Sequence, residues 1–340
     1  MKGQILNART VRSGIFFGIA ILVLMQLGNI ANAQDSSTNA QESPTPTSTP
    51  VDKTPFVLFR LESAISIGDK SAAENNFAEL EKLIPADSSL AGFRQKIAAI
   101  PASDKFMAYD LGGGVKMEFV LINPGSFMMG SDKGSPEEKP VHKVTVTKPL
   151  FLGKYEVTQA QYQAVMGKNP SHFKDDDTLP VEMISWNNCQ EFLKRLNEKI
   201  PGKGFRLPTE AEWEYACRAG STTDFSFGDD ESIVDEYAWN LNNGEEKTHP
   251  VGIKKPNAQA LYDMHGNVWE WCQDFYSGTY YQTSSAEDPQ GPQTGPLHVL
   301  RGGSWDLVPK ALRSFCRYKG DPSFRHVFIG FRVCCSPQVK

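Results

Sequence analysis

The chain has 340 residues, of which 40% are hydrophobic and 22% charged, and its formal net charge at pH 7 is −5. The length fits roughly two domains, and the lack of a basic excess argues against a nucleic-acid-binding protein. The six cysteines are too few for a disulfide-built miniprotein and include no C-x-x-C pair, which argues against a zinc ribbon.

The N-terminal segment, residues 1–33, has the layout of a secretory signal peptide. Lys2, Arg9 and Arg12 precede the apolar run GIFFGIAILVLMQLG, and the small residues of ANA end the segment. We expect cleavage after Ala33, which predicts an exported protein: periplasmic, extracellular or at the cell surface. The alternative is an uncleaved membrane anchor, because the apolar run is near the length that a span requires.

A linker and a small helical segment follow. Residues 34–54 are rich in Ser, Thr and Pro, and they predict a solvated linker because such residues cannot bury a core. Residues 55–105 carry apolar side chains at helical spacing, interrupted at Gly68-Asp69 and at Pro85. This pattern predicts about three short helices. We expect the segment to be a spacer or a docking element.

From about residue 107 the chain alternates strand-like stretches with Gly-Pro turns. The few helices have clear N-terminal signals: capping boxes of Thr158 with Gln161 and of Thr209 with Glu212, and an N-cap at Ser185. Residues 221–340 show hardly any helical periodicity. So much irregular chain in a compact domain needs ions, disulfides or aromatic clusters to hold it together.

Seven sequence blocks of this region resemble, in order, those of the formylglycine-generating enzyme (sulfatase-modifying factor) family. They are GSFMMGS, EVTQAQYQAVMG, LPVEMISWNN, RLPTEAEWEYACRAG, LYDMHGNVWEWCQDFY, LRGGSW and IGFRV, within roughly residues 115 to 333. The resemblance implies a domain over residues 107–338 with that family's α+β fold, which is C-type-lectin-like and has little regular secondary structure. This agrees with the irregular pattern of the residues themselves.

The resemblance also implies a structural calcium in the stretch DMHGNVWE. The ligands carried over are the Asp263 and Glu270 side chains and the Gly266 and Val268 carbonyls. Calcium binds six to eight oxygens and often mixes carboxylates with backbone carbonyls, so the residue types favour the same prediction. A plain aromatic turn with solvated carboxylates is the alternative. A second calcium near Asn240 is also implied.

The cysteines are expected to be structural. The resemblance places Cys217 and Cys316 close to positions that the resembled enzymes join by a disulfide, and we expect that bridge here. Cys272 has acidic neighbours, which raise a thiol pKa and disfavour the thiolate. Cys334 and Cys335 alternate across a strand, so that at most one is expected to face the core.

The cysteine pair used by oxidising members of the family is missing. In those members two cysteines, five positions apart, follow the GGS motif and bind copper(I), a soft ion that needs soft ligands. Here the segment reads GGSWDLVPKALRSFCRY. A gapless alignment places Leu307 and Leu312 at the thiol positions, whereas an alignment anchored on Arg313 and Arg317 deletes part of the segment. Both remove the thiols, so copper is not expected.

Without the cysteine pair, the resemblance still implies a binding groove. Residues that match or adjoin positions lining the family's substrate groove are Trp269, Arg301, Ser304 and Trp305. We expect Leu307 or Leu312 to lie beside one of the two tryptophans. The sequence leaves open whether the nearby arginines bind ligand or tie loops together; they are Arg313, Arg317 and Arg332. His265 is expected at the surface.

Two functions of different classes follow from these observations. The first is an exported family member without oxidase activity, a binding or scaffolding module whose groove takes a peptide or glycan-like ligand. The alternative is a formylglycine-generating oxidase that converts a sulfatase cysteine to formylglycine, or a relative whose chemistry has moved to other residues. The missing cysteine pair favours the first. Nucleic acid is not an expected partner, and a membrane is one only if the signal segment stays uncleaved.

Overall fold

The computed structural model describes residues 52–85, 87–101 and 103–337. The expected signal peptide and nearly all of the expected linker therefore lie outside the described residues. These described residues belong to one compact unit. In the described ranges, no helix combines the length and apolar character that crossing a membrane requires.

Three N-terminal helices form the predicted helical segment: α1 Thr54–Ser66, α2 Lys70–Leu83 and α3 Leu90–Ala98. The breaks fall where the sequence predicts them, because Gly68 adopts a left-handed φ of 72° and Asp69 caps α2 by accepting a hydrogen bond from the Ala72 N–H at 3.0 Å. The apolar faces of the three helices pack on one another in a cluster of their own.

This helical segment is joined to the rest of the unit by a buried ion pair. Lys154 Nζ lies 2.7 Å from Asp69 Oδ2 and 3.3 Å from Glu118 Oε2, and the Lys154 side chain is only 1% exposed. A second contact joins the Ser63 hydroxyl to that of Tyr262. The structure therefore shows a docked element rather than a free spacer.

In the rest of the described residues, ten strands form three sheets. The first sheet has the order β1-β2-β5-β10, the second is the hairpin β3-β4, and the third has the order β8-β7-β6-β9. All pairs are antiparallel except β6 with β9. The strands are β1 Phe106–Asp110, β2 Lys116–Ile122, β3 Gly125–Met129, β4 His142–Val146, β5 Leu150–Gly153, β6 Trp269–Phe275, β7 His298–Arg301, β8 Tyr318–Gly320, β9 Ile329–Phe331 and β10 Cys334–Cys335.

Three further helices and several short turns complete the fold. The helices are α4 Gln159–Met166, α5 Trp186–Lys199 and α6 Glu210–Arg218. Thr158, Ser185 and Thr209 cap them as predicted, each accepting a hydrogen bond from a backbone N–H three residues on. Short 3-10 helices cover Pro136–Glu138, Glu231–Glu236, Tyr280–Gln282 and Pro309–Leu312.

Two core clusters lie on opposite faces of the first sheet. Phe119 and Cys335 belong to one cluster, whereas their neighbours Val120 and Cys334 belong to the other. Both cysteines are fully buried. The expectation that at most one would face the core is therefore wrong, because this sheet is covered on both faces.

Candidate functional site

The predicted calcium loop is a tight, buried turn. Asp263, Gly266 and Asn267 all have left-handed φ angles, of 57°, 112° and 61°. Gly266 cannot be replaced without a shift, since a Cβ there would lie 2.1 Å from the Trp239 carbonyl oxygen. Glu156 holds the turn from behind by accepting hydrogen bonds from the Asn267 side-chain amide at 2.8 Å and the Val268 N–H at 3.1 Å.

Glu270 is committed to an ion pair inside the protein. Arg332 Nη2 lies 2.7 Å from Glu270 Oε1, Arg332 Nε lies 3.1 and 3.0 Å from the two carboxylate oxygens, and Trp213 Nε1 donates to Oε2 at 2.7 Å. A carboxylate has about four acceptor positions, and these contacts use all of them. Arg332 also donates to two backbone carbonyls. Its role is structural.

Asp263 differs from Glu270 because one of its oxygens is uncommitted. Oδ2 accepts from the Gly252 N–H at 2.8 Å, while Oδ1 is buried and has no hydrogen-bond partner among the described residues. Burial raises the pKa of this carboxyl to about 6. A buried, uncommitted carboxylate oxygen is suited to a hard cation.

The predicted calcium ligands therefore fit only in part. Asp263 fits, but Glu270 does not, since its acceptor positions are filled by N–H donors. Asn240 is also engaged, because its side chain donates to Asp235 and accepts from the Asn242 N–H. Over the described ranges, no group of three or more His, Cys, Asp or Glu side chains is placed to hold a metal ion. Calcium remains a prediction that rests on Asp263 and the loop carbonyls.

Two residues predicted to line the groove are fully buried instead. Arg301 donates to the Glu214 carboxylate and to the carbonyls of Phe315 and Cys316, at 3.0 and 2.8 Å for the carbonyls. Ser304 Oγ donates to Asp306 Oδ1 at 2.6 Å. The groove assignment of Arg301 and Ser304 is wrong because both side chains are buried: a buried carboxylate of α6 binds Arg301, and Ser304 bonds to Asp306.

The neighbouring arginines also stabilise the fold. Arg317 makes two hydrogen bonds to the Glu210 carboxylate, at 2.6 and 2.8 Å. The Arg313 guanidinium lies over the Phe315 ring, 4.7 Å from its centroid. The sequence left open whether these arginines bind a ligand or tie loops together, and their contacts favour the second role.

The expected disulfide is absent, since all six cysteines are free thiols and all are buried. Cys217 Sγ contacts the Met264 carbonyl at 3.7 Å and His265 Nε2 at 3.8 Å, while Cys316 Sγ contacts the Lys310 carbonyl at 3.9 Å. Each sulfur thus contacts different groups. Burial raises the pKa of Cys217 to about 12 and that of Cys272 well above its usual value, so neither is a thiolate at neutral pH.

His265 is buried rather than at the surface, which corrects the sequence-based expectation. Its Nδ1 bonds to the Leu312 carbonyl at 2.7 Å and its Nε2 to Ser226 Oγ at 2.9 Å. Burial lowers the pKa of the imidazole to about 4. His265 is therefore a neutral tie between three loops and not a base.

The segment that replaces the cysteine pair is packed into the fold. Leu312 is fully buried with Phe225, Val234 and Ala238. Leu307 packs against the core cluster that contains Trp269, and its carbonyl accepts a hydrogen bond from the Leu241 N–H at 2.9 Å. Leu307 also packs against the cluster that contains Leu312, so the two leucines share that cluster and Leu307 alone of the two also packs against the cluster of Trp269.

A half-buried aromatic surface lies around Trp305. The Trp305 indole N–H donates to the Val327 carbonyl at 3.5 Å, and the Phe173 ring lies 6.1 Å away at 82° to the indole. Trp269 lies deeper, only 7% exposed, with its ring 5.3 Å from that of Tyr318, which is 37% exposed. We call this set the aromatic surface; its members are Phe173, Trp269, Trp305, Tyr318, His326 and Phe328.

Glu182 holds the loop that carries Phe173, and sequence analysis missed both residues. Glu182 Oε1 accepts hydrogen bonds from the N–H groups of His172 and Phe173, at 2.9 Å for Phe173. Its Oε2 is buried without a hydrogen-bond partner in the part of the chain that is described. Burial raises the pKa of this carboxyl to about 7. The available signal was an acidic residue inside the otherwise apolar stretch LPVEMI.

Known proteins resemble this fold and sequence. The Chlamydia caviae serine/threonine-protein kinase pkn1 is 33% identical over 248 residues, which cover 66% of this chain and 38% of that protein. This chain therefore spans under two fifths of that relative. The Streptomyces coelicolor formylglycine-generating enzyme is 31% identical over 236 residues, which cover 65% of this chain and 68% of that protein.

A solved structure shows the same fold. Treponema denticola variable protein 1 superposes with a TM-score of 0.65 at 32% identity, covering 69% of this chain and 100% of that one. The family described as sulfatase-modifying factor enzyme 1-like domain matches residues 114–337, which is more than half of the chain. The chain belongs to the sulfatase-modifying factor family and has that family's α+β fold, with small helices added before it.

Proposed function

We propose that this chain is a ligand-binding member of its family and does not oxidise cysteine to formylglycine. The observation that carries the proposal is the stretch from Ser304 to Phe315, which contains no cysteine. Copper(I) needs soft thiolate ligands, and the two positions that a gapless alignment gives to the thiols hold Leu307 and Leu312. These side chains pack into the protein interior.

The remaining thiols do not offer a second oxidase site. Every cysteine of the chain is buried, and burial raises the pKa of each. A reactive cysteine needs a lowered pKa and access to its substrate. The kinase name of one relative is not carried over either, because this chain spans only 38% of that protein.

The proposed binding site is the aromatic surface. Arg301 and Ser304 are buried and Trp269 is nearly so, which leaves Trp305 and its half-buried or exposed aromatic neighbours as the part of the expected groove that a ligand can reach. Half-buried aromatic side chains provide large contact areas at little cost in side-chain entropy. A peptide or glycan-like ligand remains the expected partner. Export of the chain is part of the proposal and rests on the N-terminal sequence pattern.

Copper(I) competition tests this proposal. The purified protein is titrated into a copper(I) complex of a chromophoric chelator, with the Streptomyces coelicolor formylglycine-generating enzyme as the reference protein. We expect that this chain leaves the chelator complex unchanged. Withdrawal of one copper(I) per chain would reopen the oxidase alternative.

A further inference from the structure

We propose that Lys154 and Asp69 condense to an intramolecular isopeptide bond, an amide between the two side chains, with Glu118 as the proton carrier. The bond ties the N-terminal helical segment covalently to the family domain. The inference goes beyond the proposed function and does not depend on it. It is carried by the contacts of the three side chains, by their exclusion from water and by the use of a lysine among buried cations that are otherwise arginines.

The two reacting groups are in contact. Lys154 Nζ lies 2.7 Å from Asp69 Oδ2, so the carboxyl carbon is no further than about 4 Å from Nζ. Reacting groups held about 3–3.5 Å apart react as though they were present at a very high concentration. Asp69 is fixed at the start of α2, where its Oδ1 accepts a hydrogen bond from the Ala72 N–H at 3.0 Å. The carboxyl group therefore keeps one orientation toward the amine.

The site excludes water. The Lys154 and Asp69 side chains are only 1% and 3% exposed. The Lys154 Nζ lies 5.3, 5.6 and 5.8 Å from the ring centroids of Tyr155, Tyr262 and Phe106. Burial penalises both charges of an ion pair, whereas an amide has no charge to bury. Exclusion of water also protects the amide from hydrolysis.

A second carboxylate is placed to carry protons. Glu118 Oε2 lies 3.3 Å from Lys154 Nζ, and the Glu118 side chain is 20% exposed. This is a long hydrogen bond, as is common for acid–base groups before they react. Because Glu118 reaches solvent, the water that the condensation releases can leave past it.

The atoms and charges of the condensation balance. Lys154 Nζ first passes a proton to Asp69 Oδ2, which leaves a neutral amine and a carboxylic acid. The Nζ lone pair then forms a bond to the carboxyl carbon, and the negative charge that develops on Oδ1 lies next to the Ala72 N–H. Glu118 takes one proton from the nitrogen and returns it to Oδ2, whose bond to carbon breaks as water leaves. The reaction needs neither an oxidant nor a reductant.

The charged pair is the starting state. Burial lowers the pKa of Lys154, but the surrounding acidic groups more than offset this and hold that pKa well above its usual value. The neutral amine is therefore a small fraction of the molecules at any moment. A small fraction is sufficient, because the condensation takes place once in the life of each molecule and the dry site retains the product.

The use of a lysine distinguishes this site from the other buried ion pairs. Among the described residues, every other pair with both side chains buried uses an arginine. Arginine suits a purely structural buried pair, and its guanidinium keeps its proton. A buried lysine can lose its proton and act as a nucleophile. Lys154 is thus the buried cation that is able to form an amide.

Mass analysis of the purified full chain tests the proposal. Under denaturing conditions, the chain should weigh one water molecule less than its sequence requires. After digestion with trypsin, the peptide that contains Asp69 should be joined to the peptide that contains Lys154, and fragment spectra should place the bond between these two side chains. A chain of full mass that yields the two peptides separately would overturn the proposal.

Matched variants test the role of each group. Lys154→Arg keeps the positive charge but cannot form the amide, so it should have full mass and melt at a lower temperature, because a cross-link restricts the unfolded chain. Glu118→Gln removes the proton carrier and should lose the joined peptide. Glu191→Gln, at an exposed carboxylate paired with Arg195, is the control and should keep it. Thermal melting confirms that each variant is folded. An unchanged yield of the joined peptide in folded Glu118→Gln would contradict the assignment of Glu118.

Discussion

At the scale of single residues, buried ion pairs decide which side chains are available to bind a ligand, and the residue type alone does not. Glu270 looks like a calcium ligand in the sequence, yet the acceptor positions of its carboxylate are occupied by N–H groups of Arg332 and Trp213. A buried pair is weak evidence for net stability, but removing one partner leaves an uncompensated charge in the interior. Glu270 and Arg332 therefore depend on each other.

Arg332→Met is expected to lower the free energy of unfolding by about 3–5 kcal/mol, because it leaves the Glu270 carboxylate buried without a cation. Urea unfolding measures the loss. Arg325→Met, at an exposed arginine, is the control and should stay within about 0.5 kcal/mol. The double variant Arg332→Met with Glu270→Gln should lose less than the sum of its single changes. Additive losses would show that the pair is not coupled.

Glu182 gives the site a pH dependence whose sign follows from its pKa. Burial raises the pKa of this carboxyl from 4.5 to about 7, so between these values the folded protein binds more protons than the unfolded chain. Stability from this group is complete below about pH 4.5 and is lost as the pH rises through about 7. Melting temperatures between pH 5 and 8 should fall more steeply for the native protein than for Glu182→Gln. Parallel curves would contradict the assignment.

At the scale of elements, the helices that precede the family domain are part of its structure. Asp69 caps α2 and also pairs with Lys154, a lysine surrounded by the rings of Phe106, Tyr155 and Tyr262. The contact between Lys154 and Tyr262 lies next to the predicted calcium loop, since Tyr262 directly precedes Asp263. Docking of α1–α3 therefore supports the loop from outside the family domain.

Lys154→Met is expected to destabilise the protein by about 3–5 kcal/mol, because the Asp69 carboxylate stays buried without its cation. Chemical unfolding of the full chain measures this. Lys116→Met removes an exposed contact between the same two parts, from Lys116 Nζ to Asn75 Oδ1, and should cost under about 0.5 kcal/mol. Asp69→Asn should reduce the cost of Lys154→Met. Equal effects of Lys154→Met and Lys116→Met would argue against a buried docking pair.

At the scale of the whole molecule, short sequence signals predicted the features that depend on neighbouring residues, such as helix starts. Capping residues located α4–α6, and ordered sequence blocks indicated the family fold, which the family match and the solved relative support. Pairings across the chain were not predictable, because Arg332 lies 62 residues from Glu270 and Arg317 lies 107 residues from Glu210. Burial of Arg301 and His265 depends on such pairings, and for the same reason Phe173 and Glu182 were missed.

In the proposed function, the segment after Ser304 distinguishes this chain from oxidising members of the family. Between Ser304 and Phe315 it contains no cysteine, the soft ligand that copper(I) needs, and Leu307 and Leu312 both pack against one interior cluster. We therefore propose a family fold retained for binding, in which the aromatic surface takes the ligand.

Mass analysis of a peptide carrying the sulfatase cysteine motif, incubated with the purified protein, copper and oxygen, tests this central claim most directly. The account predicts that the peptide keeps its cysteine, while the Streptomyces coelicolor formylglycine-generating enzyme, run in parallel, converts it to the aldehyde. Formation of the aldehyde by this chain, abolished by changing any of its cysteines to serine, would contradict the account.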